Sequence, residues 1–437
     1  MIAANALPSG LASVVRGPRM TRVEVEHRQS RRLRALVAHA HATVPYYRRL
    51  FDQAGVSPER IRTTEDLGAL PITEKSVLRS LPAEEVISSR FDPDRLIRSR
   101  TSGSSGTPLI VRRRWIEQNL LYLYRIRAWR SVGLKARDRR VGLGVVRTAD
   151  PSDSKVVGSA VRSLGLFRRS VVDVFLPPLE ALAQLERVQP DVLHGYPSGL
   201  ARVADLLHEK PSTNLRPRFL MAGAEVLTAP LKRRIEAGFG APVYNMYGCH
   251  ELNLVASECP PTGEMHTCDD ALILEVVLED GRPASEGERG EVVVTGLYSY
   301  GMPFIRYRLG DVVTQGHRTC SCGAPFSTIR QIEGRAFECF ELPGGRSVHA
   351  HQLGLRLMAE AGDRIKQYQL VQERLDHVVL RIVPEEASPP DPDLLRGALG
   401  ELLGPRVDVS VVFEPDLPPD ATGKTRHYRS LIGGGAD

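Results

Sequence analysis

The feature that most restricts how this chain can fold is an alternation of short apolar runs and helical patterns between residues 140 and 250. Short apolar runs bounded by turn formers favour buried strands, and the amphipathic stretches between them favour helices. The alternation therefore predicts an α/β fold in which helices cover a parallel sheet. The predicted strands are Val141–Val146, Val171–Leu176, Val192–Tyr196, Phe219–Ala222 and Val243–Met246, and the predicted helices span residues 178–188, 198–209 and 229–238.

Further elements are predicted on both sides of this region. Residues 22–55 and 115–134 show helical periodicity, and residues 272–316 predict an all-β segment. The strands expected there are Leu272–Leu278, Glu291–Thr295 and Asp311–Thr314. Towards the C-terminus, the pattern predicts a hairpin turn at residues 342–345, helices near 351–361 and 393–403, and strands at Cys339–Leu342, Gln367–Val371, Val378–Val383 and Val407–Phe413.

These elements suggest two domains in a chain of 437 residues. We expect a large N-terminal domain over residues 1–337, with helix-covered sheets and a β-rich subdomain. Residues 338–437 are expected to form a small, mobile α+β domain. No apolar run approaches the roughly 20 residues that cross a bilayer, and no signal-peptide core is evident, so a cytoplasmic protein without a membrane partner is predicted.

The net charge of +6 at pH 7 raises the alternative of a nucleic-acid-binding protein. The basic residues are scattered, however, and no nucleic-acid-binding module accompanies them, so we expect no nucleic-acid partner. Only seven of the 58 basic residues are lysines, which makes a lysine in a suggestive context more informative. The sequence leaves open whether the chain forms a homodimer.

A loop rich in glycine and hydroxyl groups precedes the α/β region, and its residues are Thr101, Ser102, Gly103, Ser104, Ser105, Gly106 and Thr107. Glycines let several backbone N–H groups point inward, and the hydroxyls add donors, so such a loop can wrap a polyphosphate. It lacks the Gly-Lys-Ser/Thr of a P-loop, which disfavours a GTPase-type site. A plain flexible connection is the alternative.

A second candidate segment follows the predicted strand Val243–Met246 and consists of Asn245, Met246, Tyr247, Gly248, Cys249, His250 and Glu251. Open α/β sheets bind ligands at the carboxyl ends of their strands. Tyr247 offers a flat face to a base, and Glu251 offers a carboxylate to Mg²⁺. A strand end with an exposed acid is the alternative.

Two further candidates lie nearer the C-terminus. Asp311 follows Gly310, and an ionised carboxylate can accept hydrogen bonds from both hydroxyls of a ribose; an ordinary β-turn is the alternative. Lys424 lies in the segment Ala421–Arg426, where a compact cation on a loop can reach a developing anion. An ordinary surface lysine is the alternative there.

The order of these segments resembles the adenylate-forming superfamily, and in particular its phenylacetate–CoA ligase branch. The resemblance runs from about residue 35 to the end and includes the phrase from His39 to Arg48. It implies that residues 101–107 clamp phosphate and that Gly223, Ala224 and Glu225, with the segment Asn245–Gly248, form the adenine slot. It also implies roles for single residues: magnesium at Glu251, ribose at Asp311, ribose or phosphate at Arg335, a hinge at Glu338 and catalysis by Lys424.

The same resemblance implies an AMP-forming acid–thiol ligase that uses ATP and Mg²⁺. It would activate a small carboxylic acid, by default aryl or arylacetic, and transfer the acyl group to coenzyme A. His250 stands where the family often has threonine, so we place it near the α-phosphate as a third catalytic candidate. An amine or carrier-protein thiol as acceptor, and a non-catalytic nucleotide-binding homologue, remain as alternatives.

A separate constellation, Cys259, His266, Cys320 and Cys322, has the residue types of a closed structural zinc site. Some phenylacetate–CoA ligase relatives are similar here and carry zinc. Cys268 in place of His266, or two unrelated reduced pairs, are the alternatives. With four protein ligands, the zinc ion would have no open coordination position for water. The ion is therefore expected to stabilise the β-rich region and to take no part in catalysis.

Overall fold

The computed structural model describes residues 14–100, 109–145, 165–166, 168–209, 214–335, 339–361, 364–385, 388–420 and 424–432. In this part of the chain the α-helices are α1 (Arg22–Thr43), α2 (Pro45–Gln53), α3 (Lys75–Ser80), α4 (Ala83–Val86), α5 (Trp115–Ser131), α6 (Pro178–Val188), α7 (Pro197–Glu209), α8 (Ala229–Phe239), α9 (Ala350–Ala361) and α10 (Pro392–Leu403). Short 3₁₀ helices span Gly17–Arg19, Pro58–Arg60, Thr64–Ala69 and Pro93–Arg95.

The strands of the described chain comprise β1 (Ile97–Arg100), β2 (Ile110–Arg113), β3 (Arg140–Gly144), β4 (Arg169–Asp173), β5 (Val192–Gly195), β6 (Phe219–Gly223), β7 (Val243–Cys249), β8 (Asn253–Glu258), β9 (Met265–Thr267) and β10 (Leu272–Val277). They continue with β11 (Arg289–Gly296), β12 (Tyr307–Gln315), β13 (Thr328–Arg335), β14 (Cys339–Leu342), β15 (Arg346–His349), β16 (Ile365–Arg374), β17 (His377–Pro384), β18 (Asp408–Phe413) and β19 (Tyr428–Ser430). The predicted α/β class is confirmed.

The largest sheet has 11 strands in the order β10-β11-β12-β13-β9-β8-β7-β6-β5-β3-β4. From β7 to β4 each strand pairs with its neighbour in parallel. From β7 to β10 all pairs are antiparallel. The predicted parallel and all-β regions are therefore two halves of one continuous sheet that join at β7.

Helices cover both faces of the parallel half, as the alternating pattern predicts. One face packs on α6, α7 and α8 through a core that includes Leu185, Leu200 and Phe239. The opposite face packs on α5 through Tyr122 and Trp129. Because neighbouring residues of β5 belong to different cores, the buried strand is apolar on both sides, which is typical of parallel sheets.

One helix prediction is wrong in its extent. Residues 22–55 form two helices, because Val44 is extended (φ −120°, ψ 109°) and α2 starts at Pro45. Proline has no N–H for the preceding turn and disfavours the α conformation in the residue before it. The chain therefore bends here, and both helices pack on the antiparallel half of the sheet through residues such as Leu36 and Tyr47.

The C-terminal residues build their own core, which draws on residues between Phe340 and Tyr428. A four-stranded sheet in the order β18-β17-β16-β19 carries α9 and α10, and β14 and β15 form a separate hairpin. The predicted turn is confirmed, with Gly344 and Gly345 both at positive φ (86° and 73°). Residues 336–338 lie outside the described residues, so the predicted boundary and hinge remain predictions.

A search of the described helices for a candidate membrane span found none that is both long and apolar enough.

Candidate active site

The predicted adenine segments meet at the carboxyl ends of β6 and β7, where Gly223 pairs with Met246. A Cβ atom on Gly223 would lie 2.6 Å from the Met246 carbonyl oxygen, so only glycine allows this close approach. The next residue, Ala224, has a positive φ of 69°. Such strained non-glycine residues cluster at ligand sites, and the position beside the junction of the two half-sheets is where α/β sheets bind ligands.

Asp311 lies beside this junction on β12. The Tyr247 hydroxyl donates a hydrogen bond of 2.6 Å to Asp311 Oδ2, and the carboxylate is buried. The β-turn alternative is wrong, because residues 307–315 form a continuous strand in which Gly310 takes a φ of 76°. Asp311 also pairs with Arg335 across β12 and β13, so the backbone places these two predicted nucleotide-binding residues side by side.

Glu251 follows β7 and is only 3% exposed, which excludes the exposed-acid alternative. Its Oε1 atom accepts hydrogen bonds from the Tyr307 hydroxyl at 2.8 Å and from Lys75 Nζ at 3.3 Å. Burial opposes ionisation, but the Lys75 charge and these hydrogen bonds outweigh it, so the pKa of Glu251 is lowered. A buried carboxylate that stays ionised is thus held at the strand end.

Lys75 is a site residue that sequence reasoning missed. The segment before α3 lies against β12, since the Thr73 N–H donates to the Arg306 carbonyl at 2.8 Å and the Arg308 N–H donates to the Thr73 carbonyl at 3.1 Å. These bonds bring Lys75 from a distant part of the chain to Glu251. The scarcity of lysine, with only seven in the chain, is the signal that could have drawn attention to it.

His250 lies next to the strands that flank residues 101–108. The Ser99 Oγ atom of β1 is 3.4 Å from His250 Nδ1, and Arg113 of β2 donates to the His250 carbonyl. Partial desolvation lowers the pKa of His250, and the cations Lys424, Arg113 and Lys75 add to this effect against the opposing Glu251. The imidazole is therefore neutral near pH 7 and can donate or accept one hydrogen bond per nitrogen.

Glu225 connects the strand ends to the C-terminal region. Its Oε2 atom accepts the Ser198 N–H at 2.9 Å, and its Oε1 atom accepts the Ser198 hydroxyl at 2.9 Å and the Thr425 N–H at 2.8 Å. Burial raises the pKa of Glu225, although these hydrogen bonds and Lys424 oppose the rise. The Lys424 ammonium lies 5.8 Å from the centre of the Tyr196 ring, just past the end of β5.

His194 lies on β5 and faces α5. Its ring lies 5.0 Å from the Trp129 ring, centre to centre. Burial lowers the pKa of His194 well below its usual value, and the charges of nearby arginines lower it further.

Several predicted site residues carry no side-chain description. Residues 101–107, Glu338 and residues 421–423 lie outside the described residues, and for Arg335 only the backbone is described. Of the remaining predicted residues, Asn245 donates its N–H to Glu258 Oε2 at 2.9 Å, and Met246 Sδ accepts the Trp129 indole N–H at 2.7 Å. Both residues belong to β7 beside Tyr247 and Gly248.

The four predicted metal ligands converge away from this site, between β8, β9 and the segment before β13. The ligand atoms of Cys259, His266, Cys320 and Cys322 all lie within 4.8 Å of one another. Cys259 and Cys320 Sγ are 3.8 Å apart, and Cys322 Sγ is 3.3 Å from His266 Nε2. The alternative ligand Cys268 lies elsewhere, with its Sγ atom 3.7 Å from Arg127 Nη2.

Comparison with known proteins gives a consistent family. The family described as "AMP-binding enzyme" matches residues 165–300. The phenylacetate-coenzyme A ligase of Thermus thermophilus is 28% identical over 387 residues, which cover 82% of this chain and 81% of that protein. The phenylacetate-coenzyme A ligase of Escherichia coli is 29% identical over 310 residues, covering 66% of this chain and 67% of that protein.

Solved structures show the same fold. 2-Hydroxyisobutyryl-CoA ligase in its postadenylation state matches with a TM-score of 0.78 and 20% identity, over 96% of this chain and 92% of that chain. The same ligase in its thioesterification state matches with a TM-score of 0.64 at 20% identity, over 95% and 92%. Together these findings support the adenylate-forming superfamily, and within it the phenylacetate–CoA ligase-like branch, as the family of this chain.

Proposed function

We propose that this protein uses ATP to activate a carboxylic acid as an acyl-adenylate and then transfers the acyl group to coenzyme A. The observation that carries the proposal is the docking of the Lys424 loop on Glu225, beside the strand ends that hold Tyr247, Asp311 and Glu251. A cation near the strand ends, a ribose acceptor and a buried carboxylate are the parts that adenylation needs.

In the first half-reaction, a carboxylate oxygen attacks the α-phosphorus of ATP, and the bond to the pyrophosphate oxygen breaks. Negative charge accumulates on the attacking, transferring and leaving oxygens, so positioning and electrostatic stabilisation supply most of the rate. In this proposal, Lys424 stabilises the negative charge, Asp311 accepts hydrogen bonds from the ribose hydroxyls, and Tyr247 packs on the face of the adenine.

Glu251 is the residue that would hold the Mg²⁺ that accompanies ATP. Tyr307 and Lys75 both bind its Oε1 atom, and its lowered pKa keeps the group ionised, so the carboxylate carries the charge that a cation requires. When bound, the cation would offset phosphate charge. Lys75, beside Glu251, would keep this carboxylate oriented, and His250 would contact the α-phosphate.

In the second half-reaction, the coenzyme A sulfur attacks the acyl carbon, AMP leaves, and the thiol proton is released. We propose that residues 338–437 rotate about the segment near Glu338 for this step, which withdraws Lys424 from the site. An amine or a carrier-protein thiol is the alternative acceptor.

The test is carboxylate-dependent exchange of pyrophosphate into ATP, measured without coenzyme A across aryl, arylacetic and short acyl acids. We expect exchange with aryl or arylacetic acids, because the chain is similar to phenylacetate-coenzyme A ligases. Addition of coenzyme A should then give the thioester and AMP. Binding of Mg·ATP without exchange for any acid would contradict the proposal and favour a non-catalytic nucleotide-binding protein.

We also propose that Cys259, His266, Cys320 and Cys322 hold a structural Zn²⁺. A Zn–S bond of about 2.3 Å places tetrahedral thiolates about 3.8 Å apart, which agrees with the 3.8 Å between Cys259 and Cys320 Sγ. Burial lowers the pKa of His266, so the imidazole is in the neutral form that a metal requires. The ion would join β9 to the segment before β13, which also leads to Arg335.

Elemental analysis of the purified protein is expected to find about one zinc per chain. Cys259→Ser should lose the metal and lower the thermal unfolding midpoint, since three ligands bind zinc far more weakly than four. Cys249→Ser is the control, because Cys249 lies outside the cluster. A stoichiometric metal that survives the Cys259 change would show that this set is not the site.

We further propose that the protein is cytoplasmic and that it has no nucleic-acid partner. The absence of steep, salt-dependent binding to RNA or DNA would support the second of them.

A further inference from the structure

The Glu225 carboxylate lies where three parts of the chain meet. It follows β6, it caps the first turn of α7 through Ser198, and it accepts the backbone N–H of Thr425. Glu225 belongs to the predicted adenine slot, but its side chain binds Ser198 and Thr425. Binding of adenine would not account for these contacts of the Glu225 side chain.

The contact with Thr425 fixes the backbone directly beside Lys424. On the other side of the lysine, the Asp420 N–H donates to the Lys424 carbonyl at 2.8 Å, and the Arg426 guanidinium binds Asp420 at 2.7 Å. Asp420 therefore contacts both Lys424 and Arg426, and Thr425 between them binds Glu225 beside the large sheet. Both oxygens of the Glu225 carboxylate act as acceptors, and the Thr425 N–H shares Oε1 with the Ser198 hydroxyl.

Other contacts between the sheet region and the C-terminal residues lie further from the lysine. Arg202 approaches Asp416 at 3.7 Å, and Arg234 donates to the Lys366 carbonyl. Neither contact involves residues 424–426 or the carboxyl end of a strand at the candidate site. The Glu225–Thr425 hydrogen bond, together with the Tyr196 ring 5.8 Å from the Lys424 ammonium, bears directly on where that ammonium sits.

We infer that Glu225 is a positioning residue that holds the Lys424 loop against the strand ends during adenylation and releases Thr425 before thioester formation. The inference rests on the proposed function, since it gives Lys424 a role in the first half-reaction only. Because a single backbone N–H is exchanged for water on release, the attachment is strong enough to orient the lysine and weak enough to break in each cycle.

The experiment separates the two half-reactions in Glu225→Gln. Glutamine keeps the shape, but it has one acceptor oxygen for donors that use both carboxylate oxygens, and it carries no charge. Acid-dependent ATP–pyrophosphate exchange should fall at least about tenfold. Thioester formation from chemically prepared acyl-adenylate and coenzyme A should stay within about twofold of the wild-type rate, because Lys424 is not needed there.

Amide hydrogen exchange of the peptide containing Thr425 gives a second readout, which reports the hydrogen bond itself. It should become faster in Glu225→Gln and remain unchanged in the control Asp416→Asn, which alters a contact away from the loop. The control should also leave both half-reactions unchanged. The thermal unfolding midpoint of each variant checks that the protein is folded.

An equal loss in both half-reactions, or an unchanged rate of adenylation, would overturn the inference. Failure of the proposed function looks different, because the wild-type protein itself would then show no exchange with any acid. In that case, the amide exchange of Thr425 still decides whether Glu225 holds the loop, and unchanged protection in Glu225→Gln would refute it.

Discussion

Lys424→Ala is expected to lower the rate of acyl-adenylate formation by about 10²–10³-fold, the loss typical of removing one group that stabilises transition-state charge. The structure places the lysine loop at the strand ends through the Thr425–Glu225 hydrogen bond. Alanine would leave that backbone contact intact and remove only the ammonium. The binding of ATP should therefore be largely retained, since the adenine and ribose contacts belong to other residues.

The measurement is pyrophosphate exchange at saturating acid, with ATP affinity measured separately by calorimetry. Lys135→Ala is a matched control, because it removes an exposed lysine from a segment far from the strand ends. Exchange at the wild-type rate in Lys424→Ala would show that this lysine does not act in adenylation. A parallel loss of ATP affinity would instead indicate a role in ground-state binding.

Glu251→Gln is expected to lower kcat/KM for Mg·ATP by about 10-fold to 100-fold, in line with the loss of a hydrogen bond to a charged group. Two effects act together. The cation loses its carboxylate, and the ammonium of Lys75, which lies 3.3 Å from Glu251, loses its partner. The effect on folding stability should be smaller, because Lys75 keeps a side-chain exposure of 30% and water can replace part of the lost interaction.

A comparison of Glu251→Gln, Lys75→Met and the double variant tests whether the pair acts as a unit. The double variant should lose less than the sum of the single losses, because each change removes the same contact. Glu279→Gln, at an exposed position between β10 and β11, is the matched control. Additive losses, or an unchanged magnesium requirement in Glu251→Gln, would contradict the assignment.

Much of the fold could be predicted because its signals are local. The helices at residues 178–188, 198–209 and 229–238 match α6, α7 and α8 closely, and the strand and turn positions of the C-terminal region agree with the structure. Each depends on the periodicity of a few consecutive residues and on turn formers at their ends. Pro45 is also a local signal for a helix break, but the periodicity of residues 22–55 led us to predict a single helical segment.

The candidate site, too, could be predicted only in part from the sequence. The segments with Glu225, Tyr247, Glu251, Asp311 and Lys424 could be found from residue type and order, since chemistry that handles a nucleotide needs those groups. Lys75 could not be found in this way, because nothing in its neighbourhood signals a partner. Its role depends on a contact with Glu251, 176 residues away in the chain.

The sequence by itself determined many of the strands and helices and the candidate residues for binding a nucleotide or a metal, since these properties depend on neighbouring residues and side-chain chemistry. Only the tertiary structure decided that the parallel and antiparallel strands form one sheet joined at β7. It also decided that Lys75 pairs with Glu251 and that Glu225 binds Thr425. These contacts join segments far apart in the chain, and their formation depends on the packing of the whole sheet, which local patterns do not encode.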